Sequence, residues 1–416
     1  MIQFDRFVLK NGLRVVHHYD PSVSTVVLNT LYNVGARDEN PERTGFAHLF
    51  EHLMFAGSKN VPSFDQEIEK AGGQNNAFTN NEFTNYYISV PVENIETAFW
   101  LESDRMFQLN INENSLKVQK GVVVEEFKQR CFNAPFGELW HHIREILYKE
   151  SPYKWPTIGL TPQHVEEATL EDVKAFYDKH YHPKNAVLSI AGNLDLTTAK
   201  TLCEKWFETI NREGSTNKNQ YLVDSGFSPT TINKKDLSPN PAVFLVWKGP
   251  SLGEEGALAL DVFADMLGGS DVSVLQETLV KGEGICNAAE CFYLRGLGEG
   301  IFFLYGIANP GVSHETVKTR LLEVMHTYIE NRVDPVFDFE SVKNKTYTNA
   351  QFDLINPMNK AQKLAFWENA GNTNGINQEL EDVRRLEFQS VINQAKQTLT
   401  VDSVSVLNYS PKTQNA

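Results

Sequence analysis

Apolar residues recur along this chain in two rhythms. Short runs rich in β-branched and aromatic residues at 25–31, 86–90, 186–191, 242–247, 301–307 and 403–407 predict strands. Helix-sized patterns alternate with them, and the first residues, Met1-Ile2-Gln3-Phe4-Asp5-Arg6, lead straight into a strand pattern. One stretch stands apart. Asn211-Arg212-Glu213-Gly214-Ser215-Thr216-Asn217-Lys218-Asn219 is rich in loop-formers and holds no large apolar residue, which predicts a linker. The expected organisation is a first domain over 1–211, a linker over 212–221 and a second domain over 222–416. The halves look related: Gly45 to Gly57 aligns without gaps on Gly256 to Gly268, each segment follows a predicted strand, and each half closes with another, at 186–190 and 403–407.

The first copy of that repeat carries the chemistry. Phe46, Ala47, Leu49, Phe50, Leu53, Met54 and Phe55 make the predicted helix apolar nearly all round, so it should be buried. His48, Glu51 and His52 lie within it, and such groups inside an apolar helix are costly unless paired or metal-bound. Histidines four apart on a helix sit about 40° from each other around the axis, one turn apart, so both imidazoles can grip one ion. Glu51 shares their arc, where a carboxylate can act on water held at the metal without being a ligand. This is the H-x-x-E-H order of the inverted zincins. In the second copy the same positions read Ala259, Val262 and Phe263, so only the first copy keeps a metal set.

A zinc centre that acts on substrate needs a third protein ligand and an open fourth position. The run Gly121-Val122-Val123-Val124-Glu125-Glu126-Phe127 offers two carboxylates at the end of an apolar stretch. Successive helical residues point about 100° apart, so one of them at most faces the same side as the valines. Spacing does not choose between them, and either could be an ordinary surface glutamate. Adjacent His141 and His142, on a helix predicted at 138–148, point apart and are assigned no metal, while His180 and His182 read as loop residues before a strand.

Composition narrows the class. A chain of 416 residues exceeds what one core serves, and 41% hydrophobic residues allow two substantial cores. A net charge of −15 argues against nucleic acid or an anionic membrane as partner. No apolar run approaches the 18 or more residues of a membrane span, and no signal segment is seen at the start, so a cytoplasmic location is expected. Cys131, Cys203, Cys286 and Cys291 lack paired C-x-x-C spacing and read as free thiols.

The chain resembles the insulinase/pitrilysin family of zinc metallopeptidases, in the short form of the mitochondrial processing peptidase β subunit and its bacterial relatives. The resemblance rests on Leu9-Lys10-Asn11-Gly12-Leu13-Arg14-Val15-Val16, on Asn33-Val34-Gly35-Ala36-Arg37-Asp38-Glu39, on Thr44 through Phe55, and on Asn76-Ala77-Phe78-Thr79. It implies an α+β fold of two homologous domains, each a mostly antiparallel β-sheet backed by helices. It implies one Zn2+ per chain held by His48, His52 and Glu126, the last being the glutamate 74 residues after His52, with Glu51 as general base and then acid. The implied activity is that of a metalloendopeptidase hydrolysing unstructured peptides or presequences inside a chamber, with Asn76 and Ala77 on a strand edge that pairs with the substrate backbone.

The pattern also departs from the family. Gln119 stands where a supporting glutamate is common. Val280 and Asn287 stand where active members carry an Arg and a Tyr that clamp the substrate carbonyl; Tyr293, Arg295 and Tyr305 lie nearby. The expectation is therefore the zinc-bearing subunit of a heterodimer, whose homologous partner lacks zinc and supplies the clamp, with a self-sufficient homodimer or monomer as the other course. The opposing reading is a non-catalytic core or scaffold subunit of a larger assembly.

Overall fold

The computed structural model describes residues 1–216, 227–330 and 339–412; of the expected linker, 217–221 lie outside the described residues. The first half runs β1 (Asp5–Val8), β2 (Arg14–Tyr19), β3 (Thr25–Tyr32), α1 (Phe46–Leu53), α2 (Phe64–Lys70), β4 (Gln74–Thr79), β5 (Thr84–Pro91) and α3 (Ile95–Phe107). It continues with α4 (Glu113–Phe127), α5 (Leu139–Leu147), α6 (Pro162–Glu166), α7 (Leu170–His180), β6 (Ala186–Gly192) and α8 (Leu196–Phe207). The second half has β7 (Thr231–Asp236), β8 (Ala242–Gly249), α9 (Ala257–Gly268), β9 (Cys286–Leu294), β10 (Gly300–Ala308) and α10 (His314–Ile329). Then come α11 (Phe339–Asp353), α12 (Pro357–Asn369), α13 (Gly375–Arg385), α14 (Phe388–Thr398) and β11 (Ser405–Pro411). Among the described residues no helix is long and apolar enough to cross a membrane.

The fold is α+β, with one sheet in each of two compact units. Strand order in the six-stranded sheet is β1-β2-β6-β3-β5-β4, and in the five-stranded sheet β7-β11-β8-β10-β9. Without β1 the first order is the second over again. The senses agree too: β2 with β6 and β7 with β11 are parallel, and the other pairs are antiparallel. The helices that follow β3 and β8 both start from a glycine in the left-handed region, Gly45 at φ 89° and Gly256 at φ 96°. A side chain at Gly45 would be strained there and would also meet the Ile158 carbonyl oxygen at 3.0 Å. The repeat read from the sequence is thus a repeat of topology.

Strand burial explains the continuous apolar runs. In β3, Val26, Leu28 and Tyr32 face a core shared with Leu49, Phe50, Ala98 and Phe99, while Val27 faces the other way, packing with Ala191 and Ala361. In β8, Val243, Leu245 and Trp247 face α9 and α10, whereas Ala242, Phe244 and Val246 pack with Ile143, Ile146 and Leu147 of α5. Alternate residues of a strand point to opposite faces, and a sheet covered on both sides needs both sets apolar.

Compact packing draws the domain line differently from a single cut at 212–221. The first unit comprises residues 1–128, the described part of 155–220, and 351–379; the second comprises 129–154, the described part of 221–350, and the described part of 380–416. Each half of the chain therefore gives a segment to the other unit. Residues 351–379 place α12 across β3 and β6, where Lys360 meets Asp20 at 2.7 Å and Glu368 meets Arg6 at 2.7 Å. Residues 129–154 place α5 on the second sheet. Each sheet has two apolar faces, and the exchanged helix covers the one that its own half leaves bare.

Candidate metal centre

α1 is eight residues long, and its Phe46, Ala47, Leu49, Phe50 and Leu53 are buried, as an apolar helix demands. That burial carries His48 and His52 inward until their side chains are 9% and 24% exposed. α4 packs beside α1 and brings Glu126 to them. One carboxylate oxygen, Glu126 Oε2, lies 3.5 Å from His48 Nε2 and 3.3 Å from His52 Nε2. The two imidazoles stand nearly perpendicular, at 83°, with centroids 5.0 Å apart.

These separations discriminate between two kinds of contact. A hydrogen bond between imidazole nitrogen and carboxylate is about 2.7–3.2 Å long, shorter than either. The edge of a tetrahedron around zinc, with bonds of about 2.0–2.1 Å, is roughly 3.3–3.4 Å. Two borderline nitrogens and a hard oxygen are also a donor set suited to zinc. One ligand atom from each residue fits within 4.8 Å, and among the described residues no other group of three His, Cys, Asp or Glu does so.

The neighbouring carboxylate faces elsewhere. Glu125 is 66% exposed and pairs with Lys128 at 2.7 Å. Of the two glutamates left open by spacing, the structure brings Glu126 to the histidines. Gln119 lies two turns earlier on α4 and is half-buried.

Glu51 is half-buried beside His52, with a buried aromatic floor behind it. Burial chiefly, with a smaller contribution from the charge of Glu51, pushes the phenols of Tyr86 and Tyr181 well up, so both stay neutral. Their hydroxyls are 3.5 Å apart, and Arg105 sits 4.5 Å over the Tyr86 ring while its Nε donates to buried Glu102 at 3.0 Å. This floor was not foreseen from the sequence.

Sequence reasoning also passed over Glu39. Its Oε2 accepts from Gly45 N–H at 2.9 Å and its Oε1 from Ala47 N–H at 2.8 Å, at the start of α1. Burial pushes its carboxyl up to about 8 against the opposing pull of these two bonds. The signal lay in α1 itself, which begins with Gly45 and has no acid in its first turn.

Asn76 and Ala77 lie on β4, which among the described residues is an edge strand of the six-stranded sheet, with β5 on its paired side. Ala77 N–H donates to Asn76 Oδ1 at 2.8 Å, so it points to the open side. In the second unit Val280 packs against the core, and Asn287 is exposed on edge strand β9. The three neighbours that could replace the missing clamp are engaged there. Arg295 pairs with Asp261 at 3.2 Å, Tyr305 donates to Glu290 at 2.7 Å, and Tyr293 donates to the Pro250 carbonyl. His141, His142, His180 and His182 are outside the metal group. The four cysteines are free and buried, with Cys286 and Cys291 both on β9.

Comparison with known proteins gives the family. The model for Insulinase (Peptidase family M16) matches residues 14–159, and that for the Peptidase M16 inactive domain matches 167–345. The fold is that of a solved protease from Helicobacter pylori, with a TM-score of 0.89 and 24% identity over 99% of this chain and 100% of that one. The two family models, matching consecutive stretches that make up most of the chain, place it in the insulinase family, peptidase family M16. Zinc protease PqqE of Helicobacter pylori is 28% identical over 374 residues, 88% of this chain and 81% of the relative. The mitochondrial-processing peptidase subunit beta of Saccharomyces cerevisiae is 28% identical over 210 residues, 50% of this chain and 45% of that one.

Proposed function

We propose that this chain is a zinc-dependent endopeptidase that cleaves extended, unstructured peptides, with His48, His52 and Glu126 as metal ligands and Glu51 as the proton carrier. The observation that carries the reading is the meeting of both imidazoles on one oxygen of Glu126, at separations suited to ligands of a shared ion and long for hydrogen bonds. Zinc bound there would supply Lewis acidity towards the scissile carbonyl and lower the pKa of water. Glu51 would take the proton of the attacking water on its carboxylate and pass it to the leaving amine. Its half-buried position, next to His52 in α1, is consistent with that role.

The free edge of β4 would hold the substrate backbone, a mode that reads extended shape more than sequence. Ala77 N–H is the donor to offer, and an incoming strand must first displace Asn76 Oδ1 from it. Asn76→Ala therefore removes a competitor. KM for an unstructured peptide should fall about 2- to 10-fold, the equivalent of one net hydrogen bond. A rise in KM in steady-state assays would mean that the Asn76 side chain itself holds substrate.

The missing clamp supports a further part of the proposal: the chain is the zinc-bearing subunit of a heterodimer with a homologous partner. Val280 and Asn287 carry neither cation nor phenol, and Arg295, Tyr293 and Tyr305 are engaged within their own unit. Loss of one oxyanion donor typically costs about 100- to 1000-fold in turnover. The test is cleavage of a mixed unstructured peptide library by the zinc-loaded chain alone, with Glu51→Gln as blank. Near silence despite one bound zinc per chain supports the partner. Robust turnover that disappears in the blank establishes a self-sufficient peptidase and removes the need for one.

A further inference from the structure

We infer that Glu39 is a positioning residue for the metal centre, holding the start of α1 so that the histidine nitrogens and Glu126 converge. The inference rests on the zinc site proposed above. An α-helix begins with N–H groups that have no partner inside it, and its N-terminus carries partial positive charge. Gly45 has no side chain to cap them, and α1 has no acidic residue in its first turn. The start is also buried, so water does not serve. Glu39, eight residues before Ala47, reaches back with both oxygens to Gly45 and Ala47. Ala47 directly precedes His48, so the bond fixes the backbone from which the first imidazole projects.

The chain contains its own control. In the second unit α9 follows β8 as α1 follows β3, again from a left-handed glycine, with Ala259, Val262 and Phe263 in place of the metal set. There the strand-to-helix connection is 250–256, against 33–45 in the first unit. The shorter connection lacks the 3-10 turn Ala36–Asp38 that leads into Glu39. At the start of α9, Ala257 N–H goes to the Glu254 backbone carbonyl at 3.4 Å, and the neutral side-chain amide of Gln394 packs against Gly256. Among the described residues α9 thus starts on backbone and amide neighbours, whereas the Glu39 carboxyl group accompanies the copy with the metal set.

The rest of the connection is built around that contact. Trp155 Nε1 donates to the Ala36 carbonyl at 2.7 Å, and Thr44 Oγ1 receives Leu160 N–H at 2.8 Å. The same stretch leads into α6, which packs on α4, the helix of Glu126. The anchor of α1 and the support of Glu126 are thus continuous.

The test is zinc affinity of purified Glu39→Gln, read by competition with a chromophoric chelator alongside the unsubstituted protein. The amide keeps the volume but turns an NH2 group towards one backbone N–H. Groups that orient metal ligands typically change affinity by about 10- to 100-fold when altered, and a loss in that range is expected, with kcat falling and KM nearly unchanged. Unchanged zinc affinity of the folded variant, even with a lowered Tm, would reduce Glu39 to a structural residue and overturn the inference. Hydrogen exchange on the unsubstituted protein needs no variant to fold. Because coupling is reciprocal, zinc should slow exchange at Gly45 and Ala47, and rates indifferent to zinc would count equally against it. Failure of the unsubstituted chain to bind zinc would instead contradict the proposed function.

Discussion

Glu51→Gln is expected to keep one zinc per chain while peptide turnover falls by about 100- to 10,000-fold, the range that general acid–base groups contribute. The substitution is close to isosteric on a helix whose apolar residues are buried, so α1 should stay in place. Glu51 is also outside the group of three side chains placed to hold one ion, His48, His52 and Glu126. The amide has no basicity to accept a proton from water, which is the function the substitution removes. Zinc content measured beside kcat separates the two roles. Loss of zinc together with activity would make Glu51 a ligand or a support, and unaltered turnover would require another base.

The second large effect concerns the fold. A protein ending at residue 216 contains all four site residues but should fail to form a cooperative, monomeric structure. It lacks α12, so the face of the first sheet bearing Val27 and Ala191 loses its cover, and Asp20, Arg6 and Arg14 lose Lys360 and Glu368. It also retains α5, whose Ile143, Ile146 and Leu147 belong to the second sheet's core. Exposing a large apolar side chain costs about 1.5–3 kcal/mol, so these three alone take a sizeable part of a typical stability of about 5–15 kcal/mol. Aggregation, or loss of a sharp unfolding transition by circular dichroism, is the expected outcome. A soluble monomer with cooperative melting would mean that residues 1–216 are self-contained.

The metal group was legible because its grammar is local. Two histidines one turn apart on an apolar helix declare themselves within five residues, and the buried strands declare themselves as short apolar runs. The repeat of Gly45 and Gly256 was legible because a left-handed helix start requires glycine at both places. What stayed hidden depends on distant partners. The amphipathic pattern of α5 shows that it has an apolar face without saying which sheet that face covers. Glu39 entered only as the last residue of the run Asn33–Glu39 and was given no role, since its partners lie across a turn whose shape the sequence does not state. Edge strand β9 escaped because Cys286-Asn287-Ala288-Ala289-Glu290-Cys291 alternates only loosely. Glu126 could not be told from Glu125 by spacing, and the packing of α4 on α1 turns the former inward while Lys128 holds the latter outside.

That last pair supplies the most direct test of the central claim, that His48, His52 and Glu126 hold one zinc. Zinc bound per chain would be measured at equilibrium for the unsubstituted protein, Glu126→Ala and Glu125→Ala. One zinc in the unsubstituted protein, one in Glu125→Ala and almost none in Glu126→Ala is the predicted result. Zinc retained in Glu126→Ala with undiminished affinity, or lost in Glu125→Ala, would contradict it.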